Sequence, residues 1–316
     1  MNYTFGPVPS RRLGRSLGID LVPFKTCTYD CIYCQLGRTT DQTVQRQDYV
    51  HWELVIEEIR RKLDTRPDYI TLSGSGEPTL CAGLGELIQR IQAIANIPVA
   101  VLTNGSLLWR KDVRQELQHA DLVVPSLDVG DEARFRYINR PHASLSFDQL
   151  IEGLVAFRRE YRGAYWLEVL LLAGYTSIES EVKKIAELVR RIAPDRVHLN
   201  TVTRPPVESF AEPVPLEQLT RLADLFEPRA EVIADYARDP HESESTASES
   251  DILEMLLRRP CSIQDIVAAL GLHNNEAIKY VEHLRRQKRV ESVVKPRGVY
   301  YRALRPEDQP PEDPQG

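Results

Sequence analysis

No run of apolar residues in this chain is long enough to cross a bilayer. The opening stretch, Met1 to Pro7, shows no charged segment followed by an apolar one of the kind that directs secretion. Positive charge is not in excess: the net charge is −6, so no global field points to a polyanion. Cysteine is scarce, with five residues, and their spacing does not make a disulfide framework. No solenoid-type repeat is evident. These absences lead us to expect a soluble, cytoplasmic protein with no membrane partner, of a length that suits one large domain and one small one.

What cysteine there is lies mostly in one place. Cys27-Thr-Tyr-Asp-Cys31-Ile-Tyr33-Cys34 puts three thiols on one short stretch, whereas Cys81 and Cys261 stand alone and read as small buried hydrophobes. Three converging thiolates suit a soft metal centre. A mononuclear structural zinc site wants a fourth ligand, usually from a second paired motif, and none lies nearby. Three thiolates with no evident fourth fit a [4Fe-4S] cluster with one iron left open for another ligand. The alternatives are a zinc knuckle that borrows a distant ligand, and three structural thiols.

Around this stretch the patterning alternates. Strands are expected at Leu17–Val22, Tyr69–Ser73, Pro98–Thr103, Ala120–Asp128, Trp166–Leu172 and Arg196–Val202. Helices fall between them: Trp52–Leu63, one carrying Leu84, Leu87, Ile88 and Ile91, a short one around Val113 and Leu117, one opened by a Ser146/Gln149 capping box and running to Tyr161, and Glu179–Ile192. Leu216–Phe226 closes the series. Residues 3–16, with Pro7, Pro9, Arg11, Arg12 and Arg15, read as a basic loop, either a solvated arm or a lip that contacts an anion. The fold class expected is α/β, a partial (β/α)6 barrel of the TIM type, with its chemistry at the carboxyl ends of the strands. The cysteine stretch follows the first of these strands.

Period two adds a second line of reasoning. Ser126 and Asp128 share a face, as do His198 and Asn200, while Asp20 and Glu168 interrupt apolar runs. A buried polar group without a partner costs about 2–7 kcal/mol, so these residues are expected to line a shared polar interior. The alternative for each is a local cap or backbone bond. Glu168 and His198 are the candidates for proton transfer.

The stretch Cys27 to Cys34, with the aromatic Tyr33 before its last cysteine, resembles the radical S-adenosylmethionine (SAM) superfamily. Gly74-Ser75-Gly76-Glu77-Pro78, after the second strand, is similar to that superfamily's GGE-type motif, in variant form. The resemblance implies that SAM chelates the open iron and that an electron, supplied by a donor such as flavodoxin or ferredoxin, cleaves it to a 5′-deoxyadenosyl radical. It further implies that the backbone at Gly74–Glu77 holds the SAM amino group and that Tyr33 lies beside the adenine. Ser126 and Asp128 are implied at the ribose or carboxylate; Asn104, Asn200 and Arg204 are further SAM-binding candidates. Gly6–Gly14, Ser73–Thr79, Thr103-Asn-Gly105, Pro125–Asp128 and Asn139-Arg-Pro-His142 resemble the wyosine-synthase-like branch, over roughly residues 1–230. Members that build the tricyclic tRNA guanine carry further amino-terminal cysteines for a second cluster. None precedes Cys27 here, so radical initiation carries over and the product does not.

Residues 1–238 are thus expected to form the barrel, 239–249 an acidic linker, 250–305 a second module and 306–316 a disordered tail. Three short helices (Ser250–Arg258, Ser262–Leu270, Asn274–Gln287, with Ile278, Val281 and Leu284 inward) and a ribbon turning near Pro296–Gly298 resemble a winged helix. Lys279, Arg285, Arg286, Lys288, Arg289, Lys295, Arg297 and Arg302 gather there, which suits RNA or DNA; docking to a protein or a second subunit is the other use of such a module. Two readings result. One is a radical SAM enzyme whose substrate is an RNA nucleotide, a peptide or a metabolite. The other is a metal- or redox-sensing winged-helix DNA-binding regulator.

Overall fold

The structure is a computed structural model, and it describes residues 3–10, 12–233, 248–272, 274–295 and 298–304. Most of the expected linker, the expected tail, Arg11 and the ribbon tip at Pro296–Arg297 lie outside the described residues. The chain divides into two compact units, Met1–Tyr236 and Ala237–Gly316.

In the first unit the strands are β1 (Thr4–Ser10), β2 (Gly14–Ile19), the short β3 (Thr26–Cys27) and β4 (Asp41–Gln42), β5 (Tyr69–Leu72), β6 (Val99–Thr103), β7 (Leu122–Pro125), β8 (Ala164–Leu171), β9 (Arg196–Thr201) and β10 (Glu231–Val232). The helices are α1 (Trp52–Lys62), α2 (Leu84–Ile94), α3 (Lys111–Leu117), the one-turn α4 (Glu132–Arg134), α5 (Phe147–Glu160), α6 (Glu179–Ile192) and α7 (Leu216–Ala223). The main sheet has the order β1-β2-β5-β6-β7-β8-β9-β10. From β2 to β10 every pairing is parallel. Consecutive strands lie side by side because a helix returns the chain between each pair, as in parallel βαβ units. This is a mixed α/β fold on a parallel sheet, with the six expected strands in the expected order.

The alternation along the strands explains the layering. Val99, Val101 and Val123 join the main core with Ile59, Leu87, Ile91, Ile185 and Val189 of the helices. Their neighbours Ala100, Leu122 and Val124 point the other way and pack with Leu13, Leu102 and Trp166. Helix α5 begins where the capping box requires: the Ser146 hydroxyl accepts the Gln149 N–H, and the Gln149 side chain accepts the Ser146 N–H at 3.0 Å.

Three expectations are corrected here. Residues 3–16 are not a loop: β1 and β2 form an antiparallel hairpin with an irregularity between Phe5 and Val8. Proline is tolerated because β1 is an edge strand, and the Phe5 ring lies so close over Gly18 that a Cβ there would meet it at 2.1 Å. The strand expected to reach Asp128 ends at Pro125, so Ser126 and Asp128 stand on the following loop. Asp20 likewise lies one residue past the end of β2, not within it.

The second unit holds α8 (Glu249–Arg258), α9 (Ile263–Leu270) and α10 (Asn274–Arg286), followed by the antiparallel pair β11 (Val290–Lys295) and β12 (Gly298–Ala303). Ser248 and Ser262 cap α8 and α9, and Gly271 ends α9 in the left-handed region at φ 64. Ala277, Val281 and Leu284 face the small core with Ile252, Met255 and Cys261. Ile278, expected inward, is 41% exposed; the buried stripe of α10 takes Ala277 in its place.

Candidate functional site

The loops that leave the carboxyl ends of the parallel strands carry the site. The longest, after β2, contains the three cysteines. It is pinned by backbone hydrogen bonds from three other loops. The Lys25 N–H donates to Ser75 O (2.7 Å) and the Glu77 N–H to Thr26 O (3.1 Å); the Ile32 N–H donates to Ile138 O (3.0 Å), and the Glu208 N–H to Ile32 O (3.0 Å). Contact with the glycine motif is closest at Gly76, where a Cβ would lie 1.9 Å from Thr26 O. Gly74, at φ +127, lies against Asp20, whose carboxylate accepts from both the N–H (3.0 Å) and the hydroxyl of Ser75. Glycine is required at both places, one for the conformation and one for the approach.

Cys27, Cys31 and Cys34 are unpaired and half-buried. Each sulfur has one side-chain nitrogen directed at it, and the three nitrogens come from three different segments. Asn104 Nδ2, after β6, lies 3.7 Å from Cys27 Sγ. Asn139 Nδ2, after β7, lies 3.6 Å from Cys31 Sγ. Lys25 Nζ, on the cysteine loop itself, lies 3.2 Å from Cys34 Sγ. As bare thiols two of them resist ionisation: burial pushes Cys27 up to about 12, with the Glu77 charge adding to it, and burial also raises Cys31 well above the usual thiol range. The chemistry of the set therefore suits a cationic centre that binds thiolate outright. Among the described residues no three His, Cys, Asp or Glu side chains are placed to hold one metal ion. Each cysteine of a [4Fe-4S] cluster binds a different iron, so such a cluster asks for no such convergence, whereas a single zinc does. The donor set fits the cluster.

A second layer orients these groups. Glu77 is buried, and its carboxylate faces inward. It accepts from Thr79 N (3.1 Å) and Oγ1 (2.6 Å), from Thr103 Oγ1 (2.5 Å) and from Asn104 N (2.7 Å). Burial raises its pKa and these four donors pull it back. The Asn104 amide is held further by Thr28 Oγ1 at 2.7 Å. Beside Cys31, the Tyr33 hydroxyl donates to Asp128, and Asn139 Nδ2 reaches both Asp128 Oδ2 (3.2 Å) and Tyr33 Oη (3.3 Å). The second oxygen of Asp128 accepts the Leu170 N–H at 2.9 Å, and burial raises this carboxyl to about 6.

The remaining candidates separate into two places. Glu168 on β8 accepts from Asn200 Nδ2 on β9 (2.9 Å) and pairs with Arg12. Arg12 comes from the β1–β2 turn, whose next residue, Leu13, packs with Ala100, Leu122 and Val124. Ser126 makes an isolated bridge with Glu168. His198 is paired in register with Glu168, yet it packs edge-on against Trp166 at 5.2 Å, is 2% exposed, and has no hydrogen-bond partner on Nδ1. Burial, with the Arg12 charge, lowers its pKa to about 4. Its place is therefore in packing rather than on an open polar surface. Arg204, after β9, donates to Gln35 Oε1 at 3.3 Å, one residue beyond Cys34.

Sequence reasoning passed over Lys25 and gave Asn139 no role at the site. Asn139 was legible as part of Asn139-Arg-Pro-His142, but its reach to Cys31 depends on a segment, Phe135–Asn139, wound as a π-helix. Lys25 carried no signal beyond its nearness to Cys27.

The model of the Radical SAM superfamily matches residues 21–189. The chain belongs to the radical SAM superfamily. It also belongs with the UPF0026 proteins. One from Methanocaldococcus jannaschii is 39% identical over 72% of this chain and 71% of its own length. One from Helicobacter pylori is 34% identical over 90% of this chain and 92% of its own. A Brachyspira hyodysenteriae protein named GTPase Obg is 40% identical over 91% of this chain, which spans 42% of that protein's length. Among solved structures, a radical SAM methyltransferase from Sphaerobacter thermophilus shares the fold at TM-score 0.53, with 17% identity over 71% of this chain and 67% of that one. Streptococcus suis SuiB bound to S-adenosylmethionine does so at 0.51, with 16% identity over 75% and 55%. Radical SAM enzymes use a [4Fe-4S] cluster and SAM and draw an electron from a donor. The regulator reading finds no support among these relatives, and no helix of the described residues is long and apolar enough to cross a membrane.

Proposed function

We propose that this chain is a radical SAM enzyme in which Cys27, Cys31 and Cys34 hold the [4Fe-4S] cluster, and that its substrate is an RNA nucleotide. The observation that carries the first part is the loop itself: three unpaired thiols at the carboxyl end of a parallel strand, each faced by an N–H donor. When bound, the cluster and SAM supply reductive cleavage to a 5′-deoxyadenosyl radical that takes a hydrogen from the substrate. The residues of this chain position and shield that chemistry. By the resemblance, the backbone of Gly74, Ser75 and Gly76, packed on Asp20 and Thr26, would hold the SAM amino group. By the same resemblance, Tyr33, fixed by Asp128, would lie toward the adenine, and Asn104, Ser126, Asp128, Asn200 and Arg204 would hold the rest of the nucleotide. Glu77 acts through Asn104. Glu168, held by Arg12 and Asn200, is the better placed of the two proton-transfer candidates, because His198 packs against Trp166. The electron comes from a small carrier of the flavodoxin or ferredoxin kind.

The RNA part rests on the motifs shared with the wyosine-synthase-like branch and on the second unit. Three helices followed by a β-ribbon support a winged helix, and Lys279, Arg285, Arg286, Lys288, Arg289, Lys295 and Arg302 give it a basic character suited to phosphates. Two experiments test the reading. Anaerobically reconstituted protein with reductant should convert SAM to 5′-deoxyadenosine; production no greater than that of Cys31→Ala removes the enzymatic part. Mass spectrometry of transfer RNA from a deletion strain should show a lost modification, and an unchanged nucleoside profile removes the RNA part.

A further inference from the structure

Lys25 is an unusual place for a lysine. Its residue exposure is 3%, and its backbone is held in the left-handed region at φ 60, which side chains with a Cβ disfavour. Its N–H donates to Ser75 O at 2.7 Å, and its carbonyl accepts from Thr40 N at 3.1 Å and Asp41 N at 3.2 Å, so the conformation is imposed from both sides. A buried ammonium group calls for a counter-charge. Among the described residues no carboxylate makes an ion pair with it, and its side-chain hydrogen bond is to Cys34 Sγ at 3.2 Å. A thiolate at Cys34, once bound to a cluster, would supply that counter-charge. Asn104 and Asn139 complete the arrangement with neutral N–H donors at Cys27 and Cys31.

We propose that Lys25, Asn104 and Asn139 form a collar of positioning residues, one donor per cluster cysteine, that sets the reduction potential of the cluster, with Lys25 as the dominant member. Hydrogen bonds and positive charge at the ligating sulfurs stabilise the more negative, reduced state, and so raise the potential. Lys25 combines both effects; each asparagine supplies the hydrogen bond alone. Their separate origins, on the cysteine loop and after β6 and β7, make the collar a product of the fold.

The proposal rests on the three cysteines holding a four-iron cluster, and the test separates the two. Full-length parent and Lys25→Met proteins are reconstituted anaerobically and assayed for iron and sulfide. They are then titrated with reductant under EPR detection, without SAM. About four iron and four sulfide in the parent upholds the cluster; their absence there overturns the reading beneath the proposal. With the cluster present in both, Lys25→Met should need a roughly tenfold higher reducing ratio, a fall of about 59 mV for one electron. An unchanged midpoint overturns the collar. If Lys25→Met does not load, Asn139→Leu decides: a lower midpoint supports the proposal and an unaltered one overturns it.

Discussion

The carboxylate of Glu77 accepts the backbone N–H of Asn104 at 2.7 Å, and through it fixes the amide that faces Cys27. The glutamate of the glycine motif thus works from within the protein and is already fully engaged. Replacing it with glutamine sets an amide N–H₂ against donors that want an acceptor. Glu77→Gln should destabilise the fold by about 1–3 kcal/mol, a fall of a few degrees in Tm for a unit of this size. Calorimetry measures this directly, and an unchanged Tm would deny Glu77 its anchoring role.

Gly76→Ala makes a sharper demand. A Cβ there would stand 1.9 Å from Thr26 O, in the backbone that leads into Cys27. The cysteine loop has to shift, so we expect a folded protein that retains less iron than the parent after reconstitution. Gly37→Ala is the control: nothing lies within 4 Å of its Cβ position, although its φ of +93 costs some local strain. Equal iron in Gly76→Ala and the parent would show that the close approach is not needed.

The pair formed by Arg12 and Glu168 joins the hairpin turn to β8, with both side chains largely enclosed (14% and 16% exposed). Arg12→Met and Glu168→Gln should each destabilise the protein, and the double variant should lose less than their sum. A coupling of about 0.5–3 kcal/mol is expected. Strict additivity in denaturant unfolding would mean that the two do not act together.

His198 gives a pH dependence. Its pKa is lowered from 6.5 to about 4 in the fold. The unfolded chain therefore binds this proton first, and stability present above about pH 6.5 declines as pH falls towards about 4. His198→Phe removes the proton site, so the loss of Tm between pH 7 and pH 5 should be smaller than in the parent. An identical loss would assign the acid sensitivity elsewhere.

The layered body could be read from the sequence because its signals are local. The apolar run Val99–Thr103 reports a strand buried on both sides, the spacing of Val182, Ile185 and Val189 reports a helix face, and the Ser146/Gln149 box reports a start. The cysteine loop was legible for the same reason. What escaped depended on distant partners. The hairpin at residues 4–19 rests on Phe5 covering Gly18, which no periodicity announces. The roles of Lys25 and Asn139 appear only once their loops meet the thiols. Ile278 shares the helical spacing of Val281 but falls just off the stripe that the small core covers.

Cys81 and Cys261, both wholly enclosed, leave the protein with thiols of two kinds. Burial pushes Cys81 up to about 12, as it does Cys27, so what separates the two kinds is access: the 27–34 thiols are partly exposed and the other two are not. An alkylating reagent applied briefly to the native, metal-free chain should therefore mark the 27–34 segment and spare the other two. Tryptic mapping of that label then gives a direct count of how many of the three sulfurs a reconstitution has taken up.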